Sequence, residues 1–195
     1  MKIKHILNNS FSKKSNGFSL VEVLVTLFVF SLIITITMGI FVSVLKMQKR
    51  AQSAIKISNE ASYAMEYMSR AIRMAQYDEN GNCGANLNYE KTSDGIKFKG
   101  YDGKCRQFSC ELDSGGTNVY RLKEIIDNGG VLQENYLTSS ELNIVSFNVG
   151  PEYGWNPTDD IQPRITISLE IKGITKNPAE LKIQTTLSQR NIDRH

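Results

Sequence analysis

The clearest pattern in the sequence is an apolar run near the N-terminus, from Phe18 to Leu45. Glu22 is the only charged residue in it. Most of its other polar residues carry hydroxyl groups, which can hydrogen-bond to a carbonyl of their own helix. About 20 apolar residues are enough to cross the hydrocarbon core of a bilayer. The run therefore predicts one transmembrane helix.

After Leu45 the apolar residues follow a helical spacing instead of a continuous run. Small and apolar residues recur at intervals of four and three, the periodicity of one face of an amphipathic helix. This predicts a single helix from about Ser19 to Gln76, with Gly39 as its weak point. The predicted buried stripe consists of Ala54, Ser58, Ala61, Met65, Met68, Ile72 and Ala75.

Beyond the turn-forming segment 78–84, alternation of apolar and polar residues predicts short β-strands. The predicted strands are 96–101, 105–112, 117–126, 142–149, 165–171 and 181–187. The loop 150–163 holds Trp155, which we expect to be exposed there, either as a contact for a partner or as a cap on the sheet. The expected fold is α+β, with the long N-terminal helix packed on an antiparallel β-sheet of five or six strands.

The most specific motif of the chain lies where a short leader meets the apolar run. The leader ends with Lys13, Lys14, Ser15, Asn16 and Gly17, and the run opens with Phe18, Ser19, Leu20, Val21 and Glu22. A basic leader ending in glycine, then phenylalanine, a hydroxyl residue, aliphatic residues and a glutamate, resembles the prepilin N-terminus of type IV pilins and type II secretion pseudopilins. The resemblance covers roughly residues 13–45.

This resemblance implies how the chain would be processed. A membrane-embedded prepilin peptidase would cut between Gly17 and Phe18 and would methylate the new amino group of Phe18. Glu22 lies four residues after Phe18, a spacing that places both on one helix face. In a filament, Glu22 would pair with an N-terminal ammonium group, its own or that of the adjacent subunit. The expected divisions are a leader over 1–17, a transmembrane and assembly helix over 18–45, its amphipathic continuation over 46–77, and an extracytoplasmic β-sheet domain over 78–195.

The resemblance also implies a pilin-like architecture and a structural function. The chain would be a subunit of a type IV pilus or a type II secretion pseudopilus. Its partners would be other pilins or pseudopilins, the prepilin peptidase, the inner-membrane assembly platform and membrane lipid. The N-terminus would lie in the cytoplasm and the C-terminal domain outside the inner membrane. The large sheet region, and a similarity of segment 69–75 to the helix end of larger pseudopilins, favour a J-type-like minor subunit over an abundant one.

A secretory signal peptide and a plain membrane anchor are the alternatives. A signal peptide has an apolar core of about 7–15 residues followed by a small-residue cleavage site. This run is about twice as long and is followed by Lys46, Lys49 and Arg50. A plain anchor would have the same hydrophobicity but no need for Glu22, whose charge has a cost even near the membrane interface. The protein would then be an anchored extracellular binding module outside any filament.

Charge argues against nucleic acid as a partner. Of the 23 lysines and arginines, four lie in the leader, which has no acidic residue, so cleavage would leave 19 against 20 acidic residues, a net charge of −1. A general nucleic-acid binder needs a basic footprint that such a chain lacks. A basic and aromatic surface for nucleic acid could be formed by Lys97, Lys99, Lys104 and Arg106 with Phe98 and Tyr101. However, Lys97 and Lys99 alternate with Ile96 and Phe98, which favours a solvated strand face instead.

The three cysteines lie in the part that is expected to be exported, where disulfides form. If 105–112 is a strand, Cys105 and Cys110 are about 16 Å apart and cannot bond to each other. Cys105 lies beside a turn, so we favour a Cys83–Cys105 disulfide with Cys110 as a buried thiol. Three reduced and packed cysteines are the alternative.

No cofactor, metal site or catalytic group of residues is predicted, and the chain is not expected to be an enzyme. The only histidines are His5 and His195, and no Cys-x-x-Cys motif is present, which disfavours a zinc site or a histidine-assisted nucleophile. Some pseudopilins bind calcium in a C-terminal loop. Glu152, Asp159 and Asp160 could supply ligands here, but they lack the spacing of a recognised calcium loop.

Overall fold

The computed structural model describes residues 17–84, 86–113, 115–116, 118–156, 161–174 and 178–190. Within these residues the chain forms one α-helix followed by eight β-strands. The elements are α1 (Leu20–Arg73), β1 (Glu90–Thr92), β2 (Gly95–Lys99), β3 (Cys105–Leu112), β4 (Tyr120–Asp127), β5 (Leu132–Tyr136), β6 (Leu142–Tyr153), β7 (Arg164–Gly173) and β8 (Glu180–Ser188).

Helix α1 runs through Gly39 without a break, because no proline interrupts it and its residues are mostly apolar. It ends at Arg73, three residues before the predicted end. The amide of Ala75 donates to the carbonyl of Ile72, which is the tighter hydrogen bond of a 3₁₀ turn. The amide of Gln76 then donates to the carbonyl of Lys99 at 2.9 Å, so Gln76 lies beside strand β2 instead of continuing the helix.

The chain divides into two compact units, Met1–Lys46 and Met47–His195. In the first unit, every described residue is exposed. The second unit contains all the described strands and the hydrophobic core. The expected α+β class, with a long apolar N-terminal helix and antiparallel β-structure, is confirmed.

The strands form two antiparallel sheets, where one was expected. Sheet A has the order β1-β2-β3-β4-β5, and sheet B has the order β6-β7-β8. Strands β1 and β5 were not predicted. The first has only three residues, and the second is exposed at every position and therefore shows no alternation. The strand predicted over 117–126 is β4, which begins at Tyr120.

The C-terminal part of α1 contributes its buried face to the core of the second unit. The predicted stripe is right from Ala61 onward but wrong at its start, where Ala54 and Ser58 are exposed and Ile57 is buried. A small residue gains little from burial, whereas burying an isoleucine side chain is worth about 2 kcal/mol. The larger side chain therefore sets which face turns inward. Sheet B contributes Ile165, Ile167, Leu169 and Ile171 to the same core.

Trp155 is buried, so the prediction that it is exposed is wrong. Strand β6 extends to Tyr153, and Trp155 follows it with only 4% of its surface exposed. Its indole Nε1 donates to the carbonyl of Arg164 at 3.0 Å, and its ring lies 5.7 Å from that of Tyr89. Of the two predicted roles, Trp155 fits the cap on the core.

Candidate processing and assembly segment

The predicted cleavage site lies in non-helical chain just before the helix begins. Gly17, Phe18 and Ser19 precede Leu20, the first residue of α1, and the amide of Val23 donates to the carbonyl of Ser19 at 3.2 Å. Phe18 is 80% exposed. The bond between Gly17 and Phe18 is therefore outside the helix and accessible.

Glycine at position 17 is not required by the fold. A Cβ atom added to Gly17 would meet no atom of the described chain within 4 Å, and the backbone there is not in the left-handed region. A larger residue would fit this position of the folded chain. A requirement for glycine would therefore have to come from an enzyme that handles the chain.

Glu22 lies in the first turn of α1 and is exposed. A carboxylate near the N-terminus of a helix is favoured by the helix dipole. Among the described residues, no ion pair involves Glu22. With the leader attached, the nitrogen of Phe18 is a peptide amide, so an ammonium partner can arise there only after cleavage. The leader charges Lys13 and Lys14 lie outside the described residues.

The N-terminal part of α1 presents a long apolar surface that no described residue covers. Leu20 is 76% exposed, Phe28 65% and Ile36 65%. Soluble monomers rarely expose a contiguous apolar patch of more than a few hundred Å². The helix is long and apolar enough to cross a membrane. The segment fits a protein with a single membrane anchor.

The hydroxyl residues of this surface hydrogen-bond within their own helix, as the sequence analysis expects. Each donor lies three or four residues after its acceptor carbonyl. The bonds run from Thr26 to Val23 at 2.9 Å, from Ser31 to Phe28 at 2.8 Å, from Thr35 to Ser31 at 2.9 Å, from Thr37 to Ile33 at 2.5 Å and from Ser43 to Gly39 at 3.1 Å. These side chains need no partner outside the helix.

In the second unit, a disulfide joins Cys83 and Cys105, the pair that the sequence analysis favours. Their Cα atoms are 5.1 Å apart. Cys110 is a free thiol and is partly buried. Burial, together with the charges of Asp94 and Glu111, raises the pKa of Cys110 to about 11. The thiol therefore stays protonated at neutral pH and is a poor nucleophile.

The structure places one of the basic residues of the 97–106 segment inside the protein. Ile96 and Phe98 are buried and Lys97 and Lys99 are partly exposed, as alternation predicts. Arg106, in contrast, has a side chain that is only 13% exposed, and it donates to Glu124 Oε1 at 3.0 Å and to Asp102 Oδ2 at 2.9 Å. The Arg106 side chain is therefore largely buried in ion pairs and does not contribute to an open basic surface.

Arg106 belongs to a polar cluster around the buried Glu124 that sequence reasoning missed. Glu124 is 1% exposed, and its Oε2 accepts a hydrogen bond from the hydroxyl of Tyr67 on α1 at 2.7 Å. Burial and the bond to Glu124 raise the pKa of Tyr67 to about 12, so Tyr67 remains a donor. Arg106 is two residues from the buried Phe108, and this shared strand face was the signal that could have placed it inside.

The acidic residues considered for calcium are not brought together in the described chain. Glu152 is exposed in strand β6, whereas Asp159 and Asp160 lie outside the described residues. Within the part of the chain that the structure describes, no group of three or more histidine, cysteine, aspartate or glutamate residues could hold a metal ion.

The N-terminal segment matches a known family model. Residues 12–38 match the prokaryotic N-terminal methylation motif. No curated protein and no solved structure is significantly similar to the chain. The matched residues include Gly17, Phe18 and Glu22 and end inside the apolar part of α1. The chain thus carries a prepilin-type N-terminus, the methylation motif typical of type IV pilins and pseudopilins.

Proposed function

We propose that the chain is a minor structural subunit of a type IV pilus or a type II secretion pseudopilus. It is cut between Gly17 and Phe18, methylated at Phe18 and assembled through the apolar part of α1. One observation carries this proposal. The methylation motif continues directly into an apolar helix, and all described residues up to Lys46 are exposed. An apolar surface of this size needs lipid before assembly and other helices afterwards.

The proposed orientation places the N-terminus in the cytoplasm and the second unit outside the inner membrane. The Cys83–Cys105 disulfide supports this, because disulfides persist in the periplasm and outside the cell and are rare in the cytosol. Lysines and arginines flank both ends of the apolar run, so charge alone does not decide the orientation.

Assembly is proposed to depend on Glu22. In lipid, helices associate by close packing and by polar contacts, since lipid tails are as apolar as the helices. An unpaired charge that becomes buried costs several kcal/mol. Glu22 would therefore pair with an N-terminal ammonium group in the filament, and this pairing fixes the axial register of the incoming helix. The assembly platform of the inner membrane would supply the subunits.

The test of processing is the substitution Gly17→Val, with Gly39→Val as the matched control. Both glycines have open space around the added side chain, so neither substitution disturbs packing in the described chain. With a prepilin peptidase present, Gly17→Val should retain residues 1–17, and Gly39→Val should be processed like the wild type. Intact mass and N-terminal sequencing read out both results.

A Gly17→Val chain that begins at Phe18 would contradict the proposal. A wild-type chain that keeps its leader in the presence of the peptidase would favour the anchored binding module instead. A mass increase of one methyl group on the processed wild-type chain would show methylation, and N-terminal sequencing that finds a methylated first residue would locate it at Phe18.

A further inference from the structure

A basic groove lies in the second unit, between the end of α1 and the end of β8. Its volume is about 650 Å³. It is lined by Arg70, Arg73, Met74, Thr186, Ser188 and Arg190. The groove shares no lining residue with the polar cluster around Glu124.

The groove carries more positive charge than its surroundings balance. Arg70 forms an exposed ion pair with Glu66, one turn earlier on the helix. No ion pair among the described residues involves Arg73 or Arg190. The guanidinium group has the planar fork that matches a carboxylate. The chemistry of the groove therefore suits an acidic ligand.

The groove also contains part of an open sheet edge. Among the described strands, β8 pairs only with β7, which lies on one side of it. The amide of Gln189 donates to the carbonyl of Pro163 at 3.1 Å, which continues the β7–β8 ladder. Backbone groups of successive strand residues point to alternate sides. The odd-numbered residues of β8 therefore turn their N–H and C=O groups toward β7, and the even-numbered ones turn them away.

This alternation directs the backbone of Thr186 and Ser188 into the groove. The amide of Arg190, in the same register, points away from β7 and donates to the carbonyl of Arg73 at 2.9 Å. This bond closes the end of the groove beside the helix. The edge before it offers the donors and acceptors of two residues to an added strand.

Only this end of the β8 edge is suited to strand addition. At the other end, Lys182 forms ion pairs with Glu170 and Glu180, and a charged lysine on an edge strand discourages pairing. Thr186 and Ser188 are small and uncharged, and the Thr186 hydroxyl is already hydrogen-bonded to Thr166 at 2.9 Å.

We propose that the groove binds an extended acidic segment of a partner protein, which adds to the free edge of β8 and places its carboxylates on Arg70, Arg73 and Arg190. Main-chain hydrogen bonds to Thr186 and Ser188 hold the segment as a strand, and the arginines select for acidic side chains. This goes beyond the proposed function, because it concerns only the second unit and needs neither cleavage nor filament assembly.

The test uses the full chain in detergent micelles and a fluorescent seven-residue peptide of alternating threonine and glutamate. Anisotropy titration should show saturable binding to the wild type. Arg73→Gln and Arg190→Gln should each weaken binding about tenfold, the loss expected for one charge-assisted hydrogen bond. Lys172→Gln removes the same charge from an exposed position on β7 and should leave binding unchanged. Unchanged Trp155 fluorescence shows that each variant is folded.

A second peptide separates strand addition from simple charge attraction. It is made in two forms of the same sequence, one with the backbone nitrogens methylated at the odd positions and one at the even positions. The form whose methylated nitrogens face β8 should lose binding, because it cannot donate hydrogen bonds to the strand edge. Hydrogen exchange at Thr186 and Ser188 should slow when the unmodified peptide binds.

Equal binding of the N-methylated peptides would overturn strand addition, and equal weakening by Lys172→Gln would overturn the groove as the site. Absence of binding at millimolar peptide would also overturn the proposal. If binding required removal of residues 191–195, which include Asp193, the groove would be the site of the chain's own terminus and not of a partner.

Discussion

At the scale of a single residue, Glu22 combines an exposed charge with a place in an otherwise apolar helix. In an isolated subunit its carboxylate can reach the membrane interface, because long polar side chains extend toward water. In a filament core it would lose that water. Its effect should therefore be seen in assembly and not in insertion.

We predict that Glu22→Ala is inserted and cut after Gly17 but enters the assembly poorly. Glu22→Gln, which removes the charge at nearly constant size, should behave like Glu22→Ala, and Glu22→Asp should be intermediate because its reach is shorter. Co-purification with partner pilins measures the effect. Recovery of the alanine variant at wild-type yield would show that Glu22 is an incidental charge at the membrane edge.

At the scale of elements, the contact between α1 and sheet A is made partly by a polar cluster. Tyr67 on the helix meets Glu124 on β4, and Arg106 on β3 completes the group. Breaking a buried ion pair by removing one partner typically costs about 3 kcal/mol or more, because the other charge remains buried. The cluster is thus a sensitive point of the helix–sheet contact.

We predict that Arg106→Met lowers the free energy of unfolding by about 3 kcal/mol. Lys172→Met, at an exposed position, should change it by less than about 0.5 kcal/mol. Urea unfolding of the full chain in detergent can be followed by fluorescence, since Trp155 is the only tryptophan and is buried. If Arg106→Met lowered the free energy of unfolding by less than about 1 kcal/mol, the Glu124 carboxylate would have to be hydrated in the variant, and the prediction would be wrong.

The same substitution should change how stability depends on pH. Burial alone would raise the pKa of Asp102, but its hydrogen bond and charge interaction with Arg106 outweigh this and hold the pKa below the ordinary 3.8. A depressed carboxylate pKa contributes stability above the unfolded-state pKa that is lost as the pH falls through the folded-state value. Arg106→Met removes this contribution, so the variant should lose less stability than the wild type below pH 3.8.

The sequence predicted elements well where apolar contrast was strong. Large side chains such as Met65, Met68 and Ile72 marked the buried face of α1, whereas Ala54 and Ser58 carried too little apolar area to do so. Strand alternation located β2, β3 and β7. It could not show that β6 begins a second sheet, because a strand pattern does not encode which neighbour it pairs with.

Some functional features could be recognised from the sequence and others could not. The motif around Gly17 and Glu22 is local in sequence, so it could be recognised without a structure. The pairing of Glu124 with Tyr67 joins residues 57 positions apart, and only tertiary structure brings them together. The groove at β8 likewise depends on the meeting of the helix end with a distant strand.

At the scale of the whole molecule, the division into two units predicts that the second can exist alone. Deletion of residues 1–45 removes the exposed apolar run but leaves Ile57, Ala61 and the rest of the buried helix face to cover the core. We predict that residues 46–195 form a soluble, folded monomer that retains the Cys83–Cys105 disulfide.

Size-exclusion chromatography with light scattering, circular dichroism and non-reducing peptide mapping would measure these properties. Aggregation of the fragment would mean that the second unit needs the first for its stability. Peptide mapping that finds Cys83 free would contradict the disulfide and, with it, the close approach of the 78–84 segment to β3.

The hydroxyl groups between Thr26 and Ser43 donate to carbonyls of their own helix. These hydrogen bonds lie within the helix and do not depend on its surroundings. If the helix moves from lipid tails to a contact with other apolar helices, or back, one apolar environment replaces another and none of these bonds is broken. The equilibrium between the helix in lipid and the helix packed against other helices then depends on the fit of the helix surfaces and on the carboxylate of Glu22. In the proposed filament, a subunit would therefore enter or leave without breaking these internal hydrogen bonds.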